Sequence, residues 1–182
     1  MLGRTHMVLN SALWTAGAWG MGLSLPLVFT GLGGVILGSY LPDIDHPNSR
    51  IGRLFPFISK PLYRVFGHRT LTHSIWSILF WLVPLGFIPE AKWFFLGVFL
   101  GNAFHILEDK GSRSGVVLLW PFIRYRKSRA GYHYAPNHWW GYRVGGRFEQ
   151  FVFYTACFCF GLVMTCLVLG ISVDSITGFV LH

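Results

Sequence analysis

Four long runs of this chain contain no charged residue and alternate with short polar segments. Asp, Glu, Lys and Arg are absent from residues 5–42, 70–89, 93–107 and 150–173, which are runs of 38, 20, 15 and 24 residues. A helix crosses a bilayer with about 20 predominantly apolar residues. The first run is long enough for two helices joined by a turn near Met21–Pro26, and each later run for one.

This pattern predicts an all-α membrane protein, because lipid leaves every backbone polar group to be paired within its own helix. We expect a single integral-membrane domain over residues 1–182, with about five transmembrane helices. They are predicted at about 7–23, 26–41, 71–89, 93–109 and 149–171. The first of these could be a signal peptide cleaved after Ala16-Gly17-Ala18, but the uncharged run continues far beyond that site. We therefore expect it to be retained.

Composition and charge support the membrane assignment and predict its orientation. Only 12% of the residues are charged and 53% are hydrophobic, whereas a soluble domain is about 25% charged. Fourteen of the 15 Lys and Arg residues fall at the N-terminus or in the segments 44–69 and 110–147, and Lys92 is the exception. Because basic residues favour the cytoplasmic side, we predict N-in/C-out topology with two cytoplasmic basic loops. The net charge of +8 then suits anionic lipid head groups, and no nucleic-acid partner is expected.

Some polar and sulfur-bearing residues are not expected to form a site. Cys157, Cys159 and Cys166 are odd in number, lack CxxC spacing and lie in the last predicted helix, so we interpret them as small apolar residues. His133 and His138 are interpreted as loop residues, in a segment, 126–147, to which the sequence assigns no role.

Histidines and carboxylates gather at the helix ends that the predicted topology places on the cytoplasmic side. Four segments carry them: RTHM, LPDIDHPNS, GHRTLTHS and NAFHILEDKG. Because the topology rests on Lys and Arg alone, this convergence is an independent observation. It predicts one shared site with eight candidate metal ligands: His6, Asp43, Asp45, His46, His68, His73, His105 and Asp109.

The spacing of these residues fits a metal site. His105 and Asp109 are four apart and lie on one face of a helix. His68 and His73 are five apart, so we place His73 on the helix and His68 on the turn before it. Each motif alone is more often a helix terminus or a local polar pair, but ionisable residues at membrane depth are costly and usually functional. Imidazole and carboxylate ligands predict one or two divalent ions, zinc first, with manganese or iron as alternatives.

The order of these motifs resembles the YdjM-like family. A histidine near the N-terminus is followed by PD(I/L)DHPxS, GHRxxTHS, GxxxHxxxD and a GxxLLWPF-like stretch, over about residues 4–125. The family comprises bacterial inner-membrane proteins described as LexA-regulated metal-dependent hydrolases, which links it to the SOS response. The resemblance implies a multi-pass protein of the bacterial inner (plasma) membrane with the eight ligands at the matching positions. The chain departs from the family in HILEDKGSRSGV, where Glu108 replaces an apolar residue before Asp109 and a Thr/Ser-Pro-Gly turn is missing.

The leading hypothesis is a metal-dependent hydrolase at the cytoplasmic membrane face, acting on a phosphorylated or lipid-linked substrate. A metal-bound water would be the nucleophile, and Asp45 or Glu108 would be the general base. Arg69, Lys110 or Arg113 would bind a phosphate group. Membrane lipid is the expected partner.

Two other classes of function are compatible with parts of the sequence. A non-catalytic metal-binding protein, acting as a sensor or a structural or stress-response factor, would have every coordination position filled by protein. A transporter needs polar groups near the bilayer midplane, where this chain offers only uncharged residues: Asn10, Ser11, Thr30, Ser77 and Asn102. The sequence does not identify the substrate or the oligomeric state.

Overall fold

The computed structural model of the chain describes residues 1–123 and 141–180. Within these ranges the chain forms nine α-helices and three short 3-10 segments, without a β-strand. The helices are α1 (Gly3–Gly20), α2 (Leu25–Tyr40), α3 (Arg50–Leu54), α4 (Pro56–Phe66), α5 (Ile75–Phe80), α6 (Leu82–Phe87), α7 (Lys92–Lys110), α8 (Arg147–Val168) and α9 (Val173–Val180). The predictions for His133 and His138 lie outside the described residues.

Helices α2 and α7 pack backbone against backbone along a line of glycines. A Cβ built on Gly38 would lie 2.3 Å from the Val98 carbonyl oxygen, and one on Gly101 would lie 2.4 Å from the Val35 carbonyl oxygen. Small residues allow this close approach between helices in a membrane. Gly101 lies beside Val35 and His105 beside Ser39, so the two helices run parallel and their C-terminal ends meet.

Helix α1 runs antiparallel to α2 and α7, so its N-terminal end meets their C-terminal ends. The Trp14 indole donates a hydrogen bond to the Val28 carbonyl oxygen (2.9 Å). One helical turn closer to the N-terminus than Trp14, the Asn10 amide donates to Ser39 Oγ (2.9 Å) and to the Gly101 carbonyl oxygen (3.3 Å).

Helix α8 runs parallel to α1 on its other side. The backbone N–H of Leu2 donates to Glu149 Oε1 (2.6 Å) near the start of α8, and the Trp19 indole donates to the Ile171 carbonyl oxygen (2.7 Å) beyond its end. Four long helices therefore share one polar end, formed by the starts of α1 and α8 and the ends of α2 and α7.

The all-α membrane class is confirmed, but fewer segments than the predicted five are long and apolar enough to cross a membrane. Among the described residues these are Leu25–Asp45 and Arg147–Val168, with a third if Ile75–Phe87 and Pro89–Lys110, bent by 115°, count as one span. Helix α1 is not apolar enough to count among them, because it contains several polar residues, whose side chains are buried in the bundle. They are Thr5, His6, Asn10, Ser11 and Thr15.

The prediction of one continuous helix over 71–89 was wrong. A 3-10 turn (Leu71–His73) precedes α5, and α6 starts only after a break at Trp81. Pro84 explains the break, since a proline ring clashes with the carbonyl four residues earlier, here that of Phe80. His73 therefore lies on the 3-10 turn before α5 and not on a transmembrane helix.

Candidate metal centre

Three histidines from three segments are buried side by side at the polar end of the bundle. His6 comes from the first turn of α1, His73 from the 3-10 turn before α5, and His105 from α7, and each is 0% exposed. The His105 ring stacks on the His6 ring with centroids 3.8 Å apart, and its centroid lies 5.3 Å from that of His73. The three imidazoles therefore occupy one compartment shielded from solvent.

The orientation of His105 is fixed by a backbone group. Its Nδ1 lies 2.7 Å from the carbonyl oxygen of Ser39, on the last turn of α2. A carbonyl oxygen can only accept, so Nδ1 carries the hydrogen and, in the neutral ring, Nε2 presents a lone pair. Within the described part of the chain, Nε2 is buried and has no hydrogen-bond partner, which is the state of a nitrogen available to a metal.

The Nδ1 atoms of His6 and His73 also have protein partners. His6 Nδ1 is hydrogen-bonded to Glu108 Oε2, and His73 Nδ1 is hydrogen-bonded to the Thr72 hydroxyl (3.1 Å), with Asp45 Oδ2 3.4 Å away. The Nε2 atoms of both rings are buried and have no hydrogen-bond partner among the described residues. Metal-binding histidines typically donate their other N–H to a carboxylate or carbonyl, which fixes the ring and raises its basicity. All three rings thus have the supporting contact that a ligand needs.

Two carboxylates face the unpartnered nitrogens. Asp43 Oδ1 lies 3.8 Å from His105 Nε2 and 3.9 Å from His73 Nε2, and Asp109 Oδ2 lies 3.9 and 3.8 Å from the same atoms. Asp109 Oδ1 lies 3.4 Å from His6 Nε2. Ligands about 2.1 Å from a tetrahedral zinc ion are roughly 3.4 Å apart. The donor atoms, their burial and their spacing therefore fit a divalent ion.

Three overlapping groups of residues could hold a metal ion. Each offers ligand atoms within 4.8 Å of one another: His6, His105 and Asp109; Asp43, His73 and His105; and Asp45, His68 and His73. The sharing of His73 and His105 between groups is compatible with one ion or two neighbouring ions.

The carboxylate of Asp45 is already engaged by the GHRTLTHS segment. Its Oδ1 accepts from His68 Nδ1 (2.7 Å), and its Oδ2 accepts from the Arg69 backbone N–H (2.9 Å) and from the Thr72 hydroxyl (2.6 Å). The side chain is about 1% exposed. These contacts favour a role in supporting His68 and His73 over the predicted role as general base.

Arg69 lies inside the site instead of facing an open surface. Its Nη2 is paired with Asp109 Oδ2 at 2.6 Å, and its Nη1 donates to Ser112 Oγ at 3.2 Å. The residue adopts a left-handed backbone conformation, with φ of 64°, which aims its N–H at Asp45. The amino group of Met1 also contacts Asp109. The predicted phosphate-binding arginine is therefore the partner of a candidate ligand.

The remaining predicted residues lie at the edge of the cluster or outside it. Lys110 and Arg113 are exposed, and Arg113 Nε donates to the Gly141 carbonyl oxygen (3.1 Å). The His46 ring packs edge-on against His68, with centroids 4.8 Å apart, and belongs to none of the three groups. Its partial burial, together with the charge of His68, lowers the pKa of His46. Glu108 keeps one oxygen, Oε1, buried and unpartnered.

Sequence reasoning missed two contributors to the site. Ser39 contributes its backbone carbonyl group. Every residue type has this group, so the sequence does not mark the position. Tyr142 reaches the site from the segment before α8 and donates its hydroxyl to the Glu108 carbonyl oxygen (2.7 Å). Burial and the carboxylates of Asp109 and Glu108 raise the pKa of Tyr142 far above its ordinary value, so the hydroxyl stays a donor. An isolated tyrosine offers no spacing signal that could have identified it.

Comparison with known proteins identifies a family. A family model described as YdjM inner membrane protein matches residues 1–173. The uncharacterized protein YvsG of Bacillus subtilis (strain 168) is 38% identical over 122 residues, 66% of this chain and 74% of that protein. No solved structure matches.

The inner membrane protein YdjM of Escherichia coli (strain K12) is 45% identical over 91 residues, 47% of this chain and 46% of that protein. The inner membrane protein YdjM of Shigella flexneri gives the same values. The match thus spans about half the length of these two relatives. Together with the helices able to cross a membrane, these matches show that the chain belongs to the YdjM family of inner membrane proteins.

Proposed function

We propose that this protein is a metal-dependent hydrolase that acts at the membrane surface on a phosphorylated or lipid-linked substrate. The observation that carries the proposal is the set of three buried imidazoles whose Nε2 atoms have no hydrogen-bond partner among the described residues. All three lie near Asp109, and those of His73 and His105 also lie near Asp43. Leaving a buried polar atom unpaired costs about 1–3 kcal/mol. Three such atoms in one compartment are explained if they bind a common ligand.

The residues that would hold the metal are His6, His73, His105, Asp43 and Asp109. A mixed nitrogen and oxygen donor set suits zinc first and also accepts manganese or iron. A bound divalent ion lowers the pKa of its water toward about 7 and polarises the bond to be hydrolysed.

We assign the role of general base to Glu108 in preference to Asp45. Its Oε2 holds the His6 ring, while its Oε1 is buried and has no hydrogen-bond partner. A carboxylate oxygen in this state can accept a proton from a water molecule beside the histidines. Asp45, the other predicted base, has both oxygens engaged by protein donors.

The distribution of basic residues supports a cytoplasmic location for the site, with N-in/C-out topology. The polar end of the bundle carries the start of α1 and the ends of α2 and α7. In the sequence, 14 of the 15 Lys and Arg residues fall at the N-terminus or in the segments 44–69 and 110–147, which follow α2 and α7. Lipid phosphates or phosphorylated compounds at that face are then the accessible substrates.

A second candidate function, a non-catalytic metal site of the sensor or structural kind, is favoured by one observation. Asp109 is paired with Arg69 at 2.6 Å and is about 1% exposed. Structural metal sites are closed by protein ligands, whereas catalytic sites keep a position for water. Turnover is the property that separates the two functions.

The test is the metal content of detergent-purified protein by elemental analysis, followed by a screen of phosphoester and lipid hydrolysis. We expect one or two equivalents in the wild type and loss of metal in Asp43→Ala and His105→Ala. His46→Ala is the matched control, because His46 lies outside the three groups, and it should retain the metal. Absence of metal from the wild type would refute the hydrolase proposal, and metal without turnover would favour the second function.

A further inference from the structure

Of the five residues proposed to hold the metal, Asp43 is the one that reaches the outside. Asp43 is 20% exposed, whereas the side chains of His73, His105 and Asp109 are 0–1% exposed. Oδ1 of Asp43 faces the histidines, and its Oδ2 lies on the side of Gly3, 3.8 Å from a Cβ built on that residue. Asp43 therefore connects the cluster to the space beside Gly3.

That space is a pocket of about 210 Å³ with a positively charged rim. Arg4 from α1 and Arg50 from the start of α3 line it, and Asp43 is its one acidic lining residue. Leu2, Gly3, Tyr40 and Ser49 make up the rest of the lining. Because a Cβ on Gly3 would lie 3.2 Å from Tyr40 Cε1, the lack of a side chain there keeps the pocket open.

Tyr40 holds the Arg50 guanidinium at the rim, whereas the Arg4 guanidinium turns toward α8, and both contacts leave donors free. Arg50 donates from Nη1 to the Tyr40 hydroxyl over 3.3 Å. The Arg4 guanidinium lies over the Phe153 ring, 5.3 Å from its centroid. A guanidinium carries five N–H donors, so each arginine retains donors for an anion.

We infer that this pocket binds the phosphate group of the substrate, with Arg4 and Arg50 as the anion-binding residues. The inference rests on the proposed function, because it is the cluster behind Asp43 that would act on the bound group. Arginine pairs with phosphate through parallel charge-assisted hydrogen bonds. This assignment replaces the sequence-based prediction that Arg69, Lys110 or Arg113 binds the phosphate group. Lys110 and Arg113 lie outside this pocket, and Arg69 is paired with Asp109.

The negative charge of Asp43 affects how strongly the pocket can bind an anion. A carboxylate at its inner wall repels an anion, and a cation held by Asp43 removes that repulsion. Phosphate binding should therefore be stronger in metal-loaded protein than in protein treated with a chelator.

The experiment measures the affinity of detergent-purified, metal-loaded protein for inorganic phosphate by titration calorimetry. In Arg4→Gln/Arg50→Gln the Kd should rise at least about tenfold, since each arginine contributes charge-assisted hydrogen bonds. Arg53→Gln is the matched control, because Arg53 is exposed on the same short helix as Arg50 and does not line the pocket. Arg50→Gln alone carries the test if the double variant does not fold.

A second arm separates the two sources of a phosphate group. Short-chain phosphatidic acid is titrated beside inorganic phosphate, with short-chain phosphatidylcholine as the lipid control. Tighter arginine-dependent binding of phosphatidic acid identifies a lipid head group, and equal affinities identify a free phosphorylated compound. Equal binding by wild type and double variant with both probes would overturn the inference.

The metal content of each variant keeps this inference distinct from the proposed function. Both pocket variants should load as much metal as the wild type, because neither arginine belongs to the three ligand groups. Arginine-dependent phosphate binding in a protein that holds no metal would support the pocket and refute the hydrolase. Metal binding with arginine-independent phosphate affinity would overturn the pocket and leave the metal site standing.

Discussion

His105 on α7 donates its Nδ1 hydrogen to the carbonyl oxygen of Ser39 on α2, over 2.7 Å. This bond couples the orientation of a candidate ligand to the distance between two helices. That distance depends on glycines: a Cβ at Gly38, one residue before Ser39, would lie 2.3 Å from the Val98 carbonyl oxygen. The geometry of the metal centre therefore depends on how closely α2 packs on α7.

Replacing Gly38 by alanine should weaken the fold and the site together. The added methyl group has to push α2 from α7, and overpacking of this kind costs about 1–3 kcal/mol. Gly33→Ala on the same helix is the control, since nothing lies within 4 Å of a Cβ there. We expect the thermal midpoint in detergent and the metal content to fall in Gly38→Ala and not in Gly33→Ala. Unchanged metal content in Gly38→Ala would mean that the helix contact does not position His105.

The convergence of the four motif segments could be predicted from the sequence, and the pairing within the site could not. The uncharged runs predict the helices, and the distribution of Lys and Arg predicts which helix ends share one side. Both signals depend on composition alone, and together they predict that the ends of α2 and α7 lie on the same side. The partner of Arg69 depends on its left-handed backbone conformation, φ 64°, which no pattern marks in a non-glycine residue. Pro84 indicates a break near Trp81, but the uncharged, hydrophobic run 70–89 predicts one continuous helix, and that prediction was wrong.

Asp45→Asn should loosen the segment that carries His68 and His73. An asparagine offers one acceptor oxygen where Asp45 accepts from His68, Arg69 and Thr72, so at least one buried donor loses its partner. The expected loss is about 1–3 kcal/mol of unfolding free energy, measured by denaturant unfolding in detergent. Thr72→Val removes one donor to Asp45 and the hydroxyl contact to His73 Nδ1, and it should cost less because His68 and Arg69 keep their carboxylate partner. An equal loss in both variants would argue against Asp45 as the organising residue.

Tyr142→Phe should change stability in a pH-dependent way. The hydroxyl donates to the Glu108 carbonyl oxygen at 2.7 Å, and its removal should cost about 1 kcal/mol near pH 7. The pKa of Tyr142 is raised in the folded protein, so its contribution is fully present below the unfolded value of about 10 and is lost as the pH rises beyond it. The wild type should therefore lose stability above pH 10 more steeply than the variant, with Tyr154→Phe, at an exposed position, as the control. Parallel curves would contradict this assignment.

Glu108→Gln distinguishes a general base from a structural contact. Glutamine keeps an oxygen that can accept the His6 Nδ1 hydrogen, so the ring and the metal content should be retained, while the amide cannot accept a proton at neutral pH. General-base catalysis contributes about 10²–10⁴-fold, and we expect kcat to fall by that order on whichever phosphoester the screen identifies.

Glu108→Ala removes both properties and should also lower the affinity for metal, because His6 loses the partner that orients it. Full activity in Glu108→Gln with normal metal content would remove Glu108 from the chemistry. It would limit this residue to holding His6, as Asp45 holds His68 and the turn that carries His73, and the general base would then have to be sought elsewhere.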